Sequence, residues 1–107
     1  MLFRSTTDIG LGATVAQHCV VRGATIGEKA LIANGVVVLD AARVGAGSLV
    51  AAGSVVAADS EIPLNMLAAG SPAVVKRPLA GIPAEDWVRT SAGAYIELAQ
   101  RHLAGVE

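Results

Sequence analysis

Aromatic side chains are nearly missing from this chain, which has one Trp, one Tyr and one Phe although 53% of its 107 residues are hydrophobic. A core normally draws much of its volume from rings. Ala, Val and Gly dominate instead, so what is buried here must be narrow and uniform in cross-section. A single cysteine excludes an internal disulfide, and the length suffices for one domain whose core needs no staple. Excess charge of either sign is lacking too: 8 Lys and Arg stand against 9 Asp and Glu, a net −1. These charges are scattered, leaving no basic face for nucleic acid and no charged tail. No run of about 18 apolar residues avoids Gly and turn residues to make a membrane span. The opening MLFRSTTDIG also has no signal-peptide core. These absences predict a soluble, cytoplasmic protein with neither nucleic acid nor membrane as partner.

What is present is a repeat. Branched aliphatics recur at Ile9, Val15, Val21, Ile26, Ile32, Val38, Val44, Val50, Val56 and Ile62. Two residues before each stands Thr7, Ala13, Cys19, Ala24, Ala30, Val36, Ala42, Ser48, Ser54 or Ser60, all small or β-branched. The step is six residues throughout, except that both series shorten to five at one place, between Val21 and Ile26 and between Cys19 and Ala24. A period of six fits neither a helix nor a plain alternating strand. It predicts a solenoid of three short strands per turn, with the aliphatics inside, the small residues near tight corners, and Gly10, Gly27, Asn34, Gly35 and Gly45 at the bends. Between three and four turns fit from residue 9 to about 67.

Beyond Ile62 the rule stops, and Pro63, Pro72, Pro78 and Pro83 predict an irregular exit that ends the tube. Residues 84–104 predict a helix: Glu85 and Asp86 near its start and Arg101 and His102 near its end suit the helix dipole. Its stripe of Trp87, Ala94, Tyr95, Leu98 and Leu103 can cover the tube's side, with Gly93 a weak point. The expected organisation is a β-helix with its exit loop over 1–83 and a C-terminal helix of the same domain over 84–107.

The pattern resembles the hexapeptide-repeat family, whose fold is a left-handed parallel β-helix. The stretch RGATIGEKALIANGVVVLDAARVGAGSLVAAGSVV, followed by EIPLNMLAAGSPAVVKR, is similar to the γ-class carbonic anhydrase-like branch. The tail EDWVRTSAGAYIELAQRHL is similar to that of the phenylacetic acid degradation hexapeptide proteins. The resemblance implies a homotrimer with sites at its three interfaces, where the enzymes hold zinc on three histidines, two from one subunit and one from its neighbour. Two of those histidines lie in a segment that falls here on Ala16–Gly27, and the liganding positions are Gln17 and Arg22. The third belongs to earlier coils, ahead of the point where this chain begins. The resemblance thus implies a chain shortened at its N-terminus, by its natural gene, as a fragment, or with a partner chain supplying the missing coils.

Zinc catalysis needs neutral histidines and an open coordination position. A carboxamide is a poor zinc ligand, and an arginine does not deprotonate. A guanidinium about 4 Å from Zn²⁺ meets repulsion on the order of 8 kcal/mol at an effective dielectric near 20. Zinc is therefore expected to be absent from the family position, and carbonic anhydrase activity is not expected. His18 lies one residue off a ligand position and is the candidate base for any altered chemistry. As a plainer reading it is a polar corner residue. Cys19, in register with Ala13 and Ala24, reads as a small buried filler. Gln17, Arg22, Asn34 and Asp40 are expected at the degenerate metal site and the interface, where Arg22 either pairs structurally or holds a small anionic ligand. Asp8 and Arg43 carry no assigned chemistry, Asp59 and Glu61 read as solvated, and His102 as a helix-end cation.

Three functions remain open at this point. The first is a non-catalytic trimeric binding or scaffold module, with end-to-end pairing of two trimers as a further arrangement. The second is an acyl or acyl-CoA transferase or hydrolase working in an interface cleft. The third is an active zinc carbonic anhydrase.

Overall fold

The computed structural model describes residues 6–81 and Glu85. Nine two-residue strands wind three coils: β1 (Asp8–Ile9), β2 (Thr14–Val15) and β3 (Val20–Val21); β4 (Thr25–Ile26), β5 (Leu31–Ile32) and β6 (Val37–Val38); β7 (Arg43–Val44), β8 (Leu49–Val50) and β9 (Val55–Val56). A fourth coil begins with β10 (Glu61–Ile62) and β11 (Met66–Gly70), and β12 (Ala73–Pro78) follows. The strands stack into three parallel sheets: face A (β1-β4-β7-β10), face B (β2-β5-β8-β11, with β12 added at the end) and face C (β3-β6-β9). This is the solenoid of three short strands per turn expected from the six-residue period, and the left-handed β-helix that the resemblance implies.

The inward positions are those of the aliphatic series. Ile26, Ile32, Val38, Val44, Val50, Val56 and Ile62 are all buried, packed with Ala24, Ala30, Val36 and Ala42. Each side of the triangle is so short that only one large residue per strand points inward, which is why rings are not needed. Backbone groups are satisfied between coils: Thr25 N–H donates to Ala42 O at 2.9 Å, Leu31 N–H to Ser48 O at 2.8 Å, and Val37 N–H to Ser54 O at 3.0 Å. The buried serines of the small series also find partners. Ser48 Oγ donates to Pro63 O at 2.6 Å and accepts from Met66 N–H at 3.0 Å, and Ser54 Oγ accepts from Gly70 N–H at 3.1 Å.

Corners obey two separate rules. The glycines that follow face A, Gly10, Gly27 and Gly45, lie so near the next coil that a Cβ on Gly45 would stand 2.5 Å from Leu64 N. The third residue of each corner adopts a positive φ, as in Gly35 (73°) and Gly53 (75°), and also in the non-glycines Lys29, Ala41, Asp59, Asn65 and His18 (61°). The five-residue step falls at the corner between faces C and A. Asp8 pairs with Thr25, seventeen residues on, whereas Thr25 pairs with Arg43, eighteen on. Gly23 takes the tight bend there at φ 52°, and its N–H donates to Thr7 Oγ1 at 3.0 Å.

One feature differs from expectation. The exit is not irregular: β11 continues face B beside β8 and then turns into an antiparallel hairpin with β12. Pro78 is tolerated because it ends an outer edge strand, where no ladder donor is lost. The first coil, residues 7 to 25, is the end where the sequence leads one to expect an open edge, and it is the least enclosed: Ile9 is 51% exposed and Val15 and Val21 are only half-buried. The predicted helix over 84–104, with its apolar stripe and His102, lies outside the described residues apart from Glu85, whose carboxylate accepts from Gly81 N–H at 3.2 Å. No helix among the described residues is long and apolar enough to cross a membrane.

Candidate interaction face and its corners

Alternation along each strand sends one residue in and the other out, so each face has its own outer surface. Face A shows Asp8, Thr25, Arg43 and Glu61, all exposed and three of them charged. Face B shows Thr14, Leu31, Leu49 and Leu67. Its leucines form a second apolar cluster with Leu79, which follows the hairpin and folds back over them. Face C shows Val20, Val37 and Val55. Val20 is 46% exposed and the other two are half-buried. Charge suits face A to water, and the chain itself covers face B. Face C is left as an apolar ridge without a covering segment among the described residues.

The four predicted site residues border that ridge, two on each side. Gln17 and Asn34 occupy the corner between faces B and C in successive coils. Gln17 N–H donates to Asn34 Oδ1 at 3.0 Å, and Gln17 O accepts from Gly35 N–H at 3.0 Å. Arg22 and Asp40 occupy the corner between faces C and A, with Arg22 Nε 3.7 Å from Asp40 Oδ1 and both side chains nearly two-thirds exposed. A pair so open to water contributes about 0–1 kcal/mol. The structure therefore brings Gln17 to Asn34 and Arg22 to Asp40, and keeps the two pairs on opposite edges of face C.

Gln17 and Arg22, at the positions where the resemblance implies zinc ligands, do not fit the metal: one offers a carboxamide and the other a cation. Among the described residues no three of His, Cys, Asp and Glu are grouped to hold a metal ion. His18 is exposed at the positive-φ corner position that Gly35 and Gly53 fill one and two coils later. It sits in a turn rather than on a strand, so its direction is set by the bend and not by strand register. No side-chain hydrogen bond to it occurs among the described residues. Cys19 is half-buried against the core, and its Sγ lies 3.0 Å from Ala33 O, in keeping with a small filler.

The sequence reading missed two surfaces. The ridge of Val20, Val37 and Val55 was visible as the valine immediately before each inward aliphatic of one face. The outer hairpin strand presents Val74 and Val75, 50% and 42% exposed, beside exposed Lys76 and Arg77, and no repeat marks it.

Comparison with known proteins agrees with this geometry. Residues 23–58 match the family model described as bacterial transferase hexapeptide (six repeats). A hexapeptide transferase family protein from Anaplasma phagocytophilum is 28% identical, with a TM-score of 0.70 over 88% of this chain and 60% of its own. A putative acetyltransferase from Bacillus cereus is also 28% identical, with a TM-score of 0.74 over 90% of this chain and 61% of its own. Serine acetyltransferase from Neisseria gonorrhoeae, at 21% identity and a TM-score of 0.58 over 75% of this chain and 41% of its own, shares the fold. The chain thus spans about three-fifths of the length of the first two. No curated protein matches it. The chain is therefore similar to hexapeptide-repeat transferases in sequence over residues 23–58 and in the fold of its β-helix.

Proposed function

We propose that the chain acts as a parallel homotrimeric binding or scaffold module of the γ-class carbonic anhydrase-like kind, with its zinc positions given over to subunit contacts. The observation that carries this reading is face C: an apolar ridge of Val20, Val37 and Val55 bordered by Gln17 and Asn34 on one edge and by Arg22 and Asp40 on the other. Apolar surface left between polar borders on an otherwise covered or charged tube is the composition of a protein interface. Two further arrangements stay with this reading, an end-to-end pairing of trimers through the first coil and a small anion at Arg22.

A second reading, acyl transfer or hydrolysis from acyl-CoA, is favoured by the two transferase relatives at 28% identity. It is also favoured by the strip of Val74, Val75, Lys76 and Arg77, where apolar surface beside two cations suits a pantetheine arm and its phosphates. His18 is its candidate base, at the rim of face C.

One set of measurements separates the readings. Sedimentation velocity of the full chain is expected to give a trimer that Val37→Glu converts to monomer with an unchanged far-UV spectrum. A wild-type monomer at micromolar concentration overturns the main reading. CoA release from acetyl-CoA that disappears in His18→Ala would establish the second. Stoichiometric zinc with CO2 hydration lost in Gln17→Ala would establish carbonic anhydrase.

A further inference from the structure

We propose that the ring of copies is closed by a polar latch, in which Gln17 and Asn34 of one copy meet Arg22 and Asp40 of the next. This rests on the reading that face C is a self-association surface.

Rotation about an axis parallel to the tube moves each coil around the ring without changing its height. Gln17 and Arg22 both belong to the first coil, and Asn34 and Asp40 to the second. Strand stacking spaces coils by about 4.8 Å, so the third of a turn between the two corners amounts to roughly 1.6 Å along the tube. Rotation therefore brings Gln17 level with a neighbouring Arg22, and Asn34 level with a neighbouring Asp40, each within the reach of its side chain.

Donors and acceptors match at both levels. Asn34 Oδ1 already accepts from Gln17 N–H at 3.0 Å. That fixes the amide so that its NH2 group is the end left over, a donor for the carboxylate of a neighbouring Asp40. At the first-coil level, the Gln17 side-chain oxygen is an acceptor for a neighbouring Arg22 guanidinium. The contact Arg22 makes inside its own chain, at 3.7 Å, is too long for a hydrogen bond and leaves its donors unspent.

The latch also answers a deficit. Val37 and Val55 are already half-buried, so beyond Val20 the ridge adds little apolar area on association. Association must first offset lost rotational and translational freedom. The polar borders thus select the partner edge and its height, the part of recognition that apolar surface does not supply.

The test is a charge swap read by sedimentation velocity on the full chain. Asn34→Asp keeps the acceptor for Gln17 N–H but sets a carboxylate against the neighbouring Asp40. It is expected to weaken association at least tenfold with the far-UV spectrum unchanged. Adding Asp40→Asn restores a donor opposite the new carboxylate and is expected to bring association back to within about threefold of wild type. If Asn34→Asp has no effect, or the second change gives no rescue, while Val37→Glu still dissociates the ring, the latch is wrong and the face C reading stands. A wild-type monomer, or association untouched by Val37→Glu, overturns both.

Discussion

Replacing Gly45 by Ala tests the claim that adjacent coils touch through backbone at the corner after face A. The added Cβ would meet Leu64 N at 2.5 Å, Pro63 C at 2.6 Å and Leu64 Cα at 2.7 Å. These are main-chain atoms, which cannot swing aside as a side chain can. Restoring ordinary contact means moving the coils apart locally by nearly 1 Å, a step that stretches Gly45 N–H to Ile62 O (2.7 Å) and Asn65 N–H to Ala46 O (2.9 Å). Two hydrogen bonds at about 1 kcal/mol each, with overpacking of about 1–3 kcal/mol, give a loss of about 3–5 kcal/mol. Gly53→Ala is the control. Nothing lies within 4 Å of its Cβ, but its φ is +75°. It meets only the left-handed backbone penalty of about 1–2 kcal/mol, partly offset by about 0.4–1 kcal/mol from a stiffer unfolded chain. Urea unfolding at one fixed protein concentration is the assay, since subunit association shifts apparent stability. Gly53→Ala costing as much as Gly45→Ala would refute the close-approach argument.

Two further outcomes follow from other corners of the tube. His18→Gly removes a side chain from a corner whose equivalents in the next two coils are Gly35 and Gly53, so it is expected to raise unfolding stability by up to about 1 kcal/mol; a loss of more than that would show that the imidazole holds a structural contact. Leu79→Ala is expected to lower stability by about 2–5 kcal/mol, because Leu79 is buried against Leu31 and Leu49, and thermal unfolding within error of wild type would mean that face B does not depend on this cover.

The six-residue period made the tube legible because the repeat length and the strand-plus-corner length are the same quantity. The inward aliphatics from Ile26 to Ile62 are legible from the period alone. The hairpin was not legible. Pro72 and Pro78 read as breakers, whereas an antiparallel edge strand accepts a proline at its end, and nothing local to Ala73–Arg77 signals that its partner is Met66–Gly70. Of the site residues, the placing of Gln17, Asn34, Arg22 and Asp40 beside one face was readable from their offsets to Val21 and Val38. Their pairing across coils was not, because it depends on which side of a corner each side chain leaves. The conformation of His18 was hidden for a simpler reason: a positive φ is advertised by glycine, and here the sequence shows an imidazole instead.

The seventeen-residue first coil has a consequence for how such a chain can change its length. All three sheets keep in-register partners across it, Asp8 with Thr25, Thr14 with Leu31 and Val20 with Val37. The missing residue was taken entirely from the bend at Arg22–Ala24. Corners therefore behave as expansion joints: they absorb deletions, and by the same geometry loop insertions, while the strands keep their alignment. A protein engineer wishing to graft a loop onto this tube would open it between faces C and A, where one residue more or less already makes no difference to the sheets.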